Sequence, residues 1–137
     1  MAENTEFELV SPEQLLLSEP VEMVVVPGTE GDFGVLPGHA PMISAVRTGV
    51  ISIRRDGTVD RRIFVAGGFA EVTPERCTVL ADEAVARETA DRGAAQERIS
   101  DAEDDLAHAD TNPERESAQA ALEIATSLLS AIDSAAK

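Results

Sequence analysis

Up to about residue 84 the chain sets apolar against polar positions in short runs. Turn signals break these runs at intervals of roughly ten residues. Thr5–Val10 and Pro20–Val26 are rich in Val, Phe and Leu, and are bounded by Ser11-Pro12 and Pro27-Gly28. Met42–Val46 comes next, then Gly49–Arg54 and Thr58–Val65 flanking Asp56-Gly57, the strongest local hairpin cue in the chain. Gly67-Gly68 interrupts, after which Phe69–Thr73 and Arg76–Ala81 flank Pro74-Glu75. Strands that frequent, with no helix between them, predict an antiparallel β-sandwich or flattened barrel.

From Thr89 the period changes. Ala95, Ile99, Ala102, Leu106 and Ala109 step by four and three, and so do Ala118, Ala121, Ala125, Leu128, Ile132 and Ala135. That spacing predicts two helices, about 90–109 and 113–136, each with a coiled-coil seam. Thr89 is the expected first N-cap, and Thr111-Asn112-Pro113-Glu114 supplies a turn, a cap and an N-terminal proline for the second helix. So short a break folds the helices back antiparallel. The expected class is α+β: a β-sandwich over 1–84, then a helical hairpin over 85–137. The hairpin's seam is mostly alanine, so it is expected to need a docking surface and to be able to leave it.

One stretch stands apart from both patterns. Glu30 to Pro41 reads Glu-Gly-Asp-Phe-Gly-Val-Leu-Pro-Gly-His-Ala-Pro, three glycines and two prolines around the apolar Phe33, Val35 and Leu36. Glycine admits unusual φ and proline fixes it, so a single irregular path is expected, holding Asp32 and His39 at set angles. Such a loop either presents a surface or is a pair of structural turns.

Charge narrows the choice of partner. The chain has 137 residues, 26 acidic against 11 basic, for a net charge of -15. That surface repels nucleic acid and anionic lipid. The acidic residues fall in both halves, so there is no acidic tail. The one basic cluster, Arg54, Arg55, Arg61 and Arg62, lies on the Asp56-Gly57 hairpin, as a guard for an edge strand or a dock for an acidic partner. No signal peptide, transit segment or membrane-length apolar run is apparent, which suggests a protein that stays where it is made. Cys77 stands alone in Arg-Cys-Thr-Val-Leu and is expected to be a buried strand residue.

Catalytic chemistry finds little footing. There is no phosphate-binding glycine loop with a following Lys-Ser/Thr, and no paired metal-ligand spacing, so neither cofactor nor metal is expected. His108 falls at the end of the first helix, where a cation meets the dipole favourably. The acidic run Asp101–Asp105 reads as a solvated helix face. An enzyme would have to use Asp32, His39 and Cys77, whose spacing does not bring them within reach of one another.

Gly31-Asp-Phe-Gly-Val-Leu-Pro-Gly-His-Ala-Pro41 resembles the signature loop of the epsilon subunit of bacterial F-type ATP synthase. Val10-Ser-Pro-Glu13, Gly67-Gly-Phe-Ala-Glu-Val72 and Val79-Leu-Ala-Asp82 extend the likeness over most of the chain. The resemblance implies a non-catalytic rotor subunit that couples proton flow to ATP synthesis, on the cytoplasmic face of the bacterial plasma membrane. Its implied partners are the gamma subunit, the c-ring and the alpha/beta catalytic head, with membrane association only through them. It further implies a c-ring contact at Glu30, Gly31 and Asp32, and a gamma contact at His39, Ala40 and Pro41. Of the family's nucleotide-binding pattern Asp91 is kept, but Ala94 stands where an arginine belongs and Arg92 faces elsewhere. Asp91 and Arg92 therefore form an incomplete nucleotide site. Strongly braking members carry several basic residues in the second helix. Here only Arg115 and Lys137 face Glu114, Glu116, Glu123 and Asp133, so braking is expected to be weak or absent. The alternative is a generic sandwich-and-hairpin adaptor with another partner.

Overall fold

The computed structural model describes residues 4–134. Its contacts gather into two units, Met1–Glu88 and Thr89–Lys137. The first is all β. Ten strands run β1 (Thr5–Val10), β2 (Leu15–Val21), β3 (Met23–Gly28), β4 (Gly31–Val35), β5 (Met42–Val46), β6 (Gly49–Arg55), β7 (Thr58–Val65), β8 (Gly68–Val72), β9 (Arg76–Ala81) and β10 (Ala84–Ala86). Their order is β10-β7-β6-β3-β5-β8-β9-β1-β2, with β4 paired to β3. The two halves of this ribbon meet where Gly28 of β3 pairs with Val46 of β5. The period-2 pattern does the folding: Phe7, Leu9, Val24, Val26, Ile51, Ile53, Val72, Cys77 and Val79 all point into one core. The expected sandwich class therefore holds, with one exception to antiparallel pairing, as β1 runs parallel to β9.

Two expectations differ from the structure of the sandwich. The single run Pro20–Val26 is really two strands, broken at Glu22. Ser18, Glu19 and Pro20 interrupt the apolar pattern of β2, which as an edge strand tolerates a proline without a donor. Glu30–Pro41 is not irregular throughout, since Gly31–Val35 forms β4 and pairs along β3 from Val24 to Gly28. The short β10 and a 3-10 turn at Arg87–Thr89 were not foreseen. Within the arginine cluster, Arg55 and Arg61 both engage Glu19 of β2, and Arg55 also reaches Asp60.

The second unit is a helical hairpin, α1 (Arg92–Ala107) and α2 (Asn112–Asp133). Its N-cap is Asp91 rather than Thr89: the Asp91 carboxylate accepts from the Ala94 amide at 3.2 Å. Ala95, Ala102, Ala118, Ala125 and Leu128 are buried along the seam, but Ala121 faces solvent, and Ala135 lies outside the described residues. The short connection brings the far ends together, where Arg92 Nε and Nη2 donate to Asp133 at 2.6 and 3.0 Å. The His108 ring sits 2.8 Å from the Asp104 carbonyl at the C-cap of α1.

Candidate functional site

The glycine- and proline-rich stretch makes two features at opposite ends of β5. At one end the β3–β4 hairpin closes through Thr29 and Glu30, between the paired Gly28 and Gly31. This tip is tied to the body at several points. The Thr29 amide donates to the Ala45 carbonyl at 3.0 Å, and the Arg47 amide to the Pro27 carbonyl at 2.9 Å. The Arg47 guanidinium donates to the Gly28 carbonyl at 2.8 Å and to Asp32 Oδ1 at 2.7 Å. Glu30 is exposed and makes no hydrogen bond or ion pair among the described residues.

At the other end, Leu36-Pro37-Gly38-His39 forms a tight turn, the His39 amide donating to the Leu36 carbonyl at 3.1 Å. Proline at the second position and Gly38 at φ 84 match a type II turn, which requires positive φ there. The Gly38 amide reaches across to the Pro74 carbonyl at 2.8 Å and pins the turn against the β8–β9 connection. His39 Nδ1 lies 2.7 Å from the carbonyl of Ala40, so its ring is folded back on its own backbone. A strand the length of β5, five residues, spans about 17 Å and separates the two features.

Between them runs a surface that the sequence reading missed. On the outer face, Ala45 of β5 pairs with Phe69, Phe69 with Leu80, Leu80 with Val10, and Val10 with Leu15. Paired residues share a face, so these five form one apolar row across β5, β8, β9, β1 and β2. Phe69 is 59% exposed, Leu80 52%, Leu15 57%, and Ile43, one step along β5, 74%. Glu71 stands opposite Ile43, and the Arg76–Glu8 pair at 2.9 Å lies on the same face. An apolar row with a polar border on a water-facing sheet marks a contact surface. Its signal was available: in Cys77-Thr-Val-Leu-Ala81 the core takes Cys77, Val79 and Ala81, leaving Leu80 apolar at a polar position.

The structure does not bring Asp32, His39 and Cys77 together. Asp32 is engaged by Arg47, His39 lies at the far end of β5, and Cys77 is fully buried, its thiol pushed up to about 12 by desolvation. Asp91 caps the start of α1, and Arg92 pairs with Asp133 across the exposed ends of the hairpin.

The hairpin's own electrostatics carry a pH signature. Glu114 accepts from the Asp110 and Thr111 amides at 2.8 and 3.1 Å, closing a capping box with Thr111. Those amides, Asp110's first, hold its carboxyl below the ordinary 4.5, and the Arg92 hydrogen bond holds Asp133 below 3.8. Depressed carboxyls stabilise the folded form above their ordinary values and lose that contribution as pH falls through the lowered ones. Helix content followed by circular dichroism should therefore drop below about pH 4.5, and less so in Glu114→Gln, which keeps an acceptor without the titration. Equal acid profiles for the two chains would contradict this.

Comparison with known proteins agrees with this architecture. A family model described as the ATP synthase delta/epsilon chain β-sandwich domain matches residues 4–87. An ATP synthase epsilon chain of Rhodospirillum rubrum is 60% identical over 96% of this chain and 98% of that one. One of Rhodospirillum centenum is 58% identical over 84% and 82%. In fold, the chain is similar to part of the Euglena gracilis mitochondrial ATP synthase OSCP/F1/c-ring structure. The TM-score is 0.77 at 24% identity, covering 94% of this chain and 81% of that one. With the sandwich, the hairpin and the signature stretch all accounted for, the chain belongs to the ATP synthase epsilon chain family.

Proposed function

We propose that this chain is a non-catalytic central-stalk subunit of a proton-translocating ATP synthase, coupling rotation of the c-ring to ATP synthesis through gamma. The single observation that carries this is a division of labour along one sheet. The apolar row offers a broad seat on the outer face, and the pinned β3–β4 tip lies beside the Val46 end of β5, the first strand of that row. We assign the seat to gamma, because Ile43 and Ala45 continue directly from His39, Ala40 and Pro41. The tip, Glu30, Gly31 and Asp32, is assigned to the c-ring. A subunit that carries torque needs both ends of its load path held rigidly, and each end here is fastened to the sheet through backbone hydrogen bonds.

The complex places the chain at a membrane without requiring it to insert, and no helix among the described residues is long and apolar enough to cross one. The cytoplasmic face of the bacterial inner membrane is the side we infer. The hairpin is a weak brake on the alpha/beta head at most, since α2 carries Glu114, Glu116, Glu123 and Asp133 against Arg115. Co-purification with gamma and c subunits tests the whole reading, followed by ATPase assay with the full chain and with one lacking 110–137. Retention of both partners and less than a several-fold change in rate are expected. Failure to retain gamma would refute the assignment, and a several-fold rise on truncation would refute the weak brake.

A further inference from the structure

Arg47 touches both strands of the tip with one side chain. Its Nη1 donates to the Gly28 carbonyl on β3 at 2.8 Å, and its Nη2 to Asp32 Oδ1 on β4 at 2.7 Å. β4 pairs with β3 alone among the described residues, so the outer strand of the hairpin has no second neighbour to hold it. Among the described residues, only the Thr29 amide ties the turn beyond Gly28 and Gly31 to β5. A two-stranded ribbon held from one side can twist and sway about its base. The guanidinium closes that freedom by bridging β3, β4 and the β5–β6 connection.

We propose that Arg47 is the positioning residue of the tip, the strut that keeps Glu30 at a fixed place relative to the sheet that seats gamma. This rests on the reading of the tip as the c-ring contact. Asp32 then acts inward, as the strut's anchor, while Glu30 is the free charge presented outward. The choice of arginine follows from its shape. A planar fork can donate to a carbonyl and a carboxylate at once, whereas a lysine ammonium at the same site is a point charge on a flexible stem. Arg47 and Asp32 are both about half exposed, so the pair contributes little to global stability. Its effect is local order, which separates it from a merely structural role.

Hydrogen exchange on the full chain reads this directly. In Arg47→Ala, exchange of the Thr29 to Phe33 amides should accelerate about tenfold while the thermal midpoint stays close to that of the unaltered chain. Arg47→Lys should fall between, since it keeps the charge but loses the fork. Unchanged exchange at the tip in Arg47→Ala overturns the proposal, and so does acceleration spread evenly over the sandwich. In the assembled complex, Glu30→Cys is first cross-linked to c subunits with Arg47 in place. No cross-link there sinks the c-ring reading itself, leaving exchange to judge Arg47. Given a cross-link, adding Arg47→Ala should cut its yield several-fold and lower proton pumping per ATP hydrolysed. An unaltered yield counts against the strut.

Discussion

Replacing Gly68 with alanine should lower the thermal midpoint of the sandwich by roughly 12–24 °C, far more than any other single methyl added at a glycine. Gly68 opens β8 at φ 133 and sits between Val46 of β5 and Ala81 of β9. A Cβ built there would overlap the Leu80 carbonyl oxygen and come within 3.0 Å of Ala81 Cα. Both obstacles are backbone, so no side chain can swing aside, and the β8–β9 ladder itself must move. The unfavourable φ costs about 1–3 kcal/mol and overpacking a similar amount, and about 3 kcal/mol lies in the lower half of the combined range. At about 4–8 °C per kcal/mol for a domain of this size, the stated range follows. Gly31→Ala isolates the two contributions. Gly31 has nearly the same φ, 129, with nothing within 4 Å of its Cβ position, so it carries the strain without the overlap. Melting of the full chain, monitored through the β signal, should rank the unaltered protein, Gly31→Ala and Gly68→Ala in that order with a wide gap before the last. Two alanine variants melting within a few degrees of each other would show that the ladder yields easily.

How much of this was legible in the sequence depends on how local the cause is. The core strands could be read because inward positions alternate within each strand, as in Phe7 and Leu9, Val24 and Val26, or Ile51 and Ile53. The hairpin could be read because Pro113 and the Thr111–Glu114 capping box announce the start of α2 within four residues. β2 was hidden because one of its inward positions is Glu19, and that choice makes sense only once Arg55 and Arg61 arrive from β6 and β7. The parallel pairing of β1 with β9 joins the two ends of the sandwich and leaves no local signature. In the same way, turn chemistry makes the tip visible from Gly28 to Gly31, but nothing near Arg47 reveals that its side chain closes onto a turn some fifteen residues earlier. What sequence reading loses, then, is polar groups whose partners are tertiary. The apolar row is a different case: its residues were in view, but their shared face emerges only from the register of five strands.

That register yields the second large effect: changing Phe69 and Leu80 together to glutamate should weaken gamma binding about a thousandfold while leaving the fold intact. The fold survives because both side chains already stand more than half in water, so each change shifts stability by about 0.5 kcal/mol, and setting two like charges opposite adds about 1 kcal/mol at most. Binding suffers twice. Each side chain loses the burial of its remaining apolar surface, about 1 kcal/mol apiece on an area basis. Each new carboxylate is then trapped at the dry centre of the contact, at about 1–3 kcal/mol unless gamma supplies a partner. About 4 kcal/mol in all corresponds to three powers of ten in dissociation constant. Phe69 and Leu80 are direct cross-strand neighbours, so the pair must be measured together and not summed from singles. The double alanine variant separates the causes: it removes the apolar area without adding charge and should cost only about tenfold to a hundredfold. Leu16→Glu is the control for added charge, since Leu16 is partly exposed but has no place in the row. Titration calorimetry against gamma should therefore show near-normal binding for Leu16→Glu and almost none for the double glutamate. Were the double variant to bind within tenfold of the unaltered chain, gamma would have to be seated elsewhere, on the turn that presents His39, Ala40 and Pro41 alone.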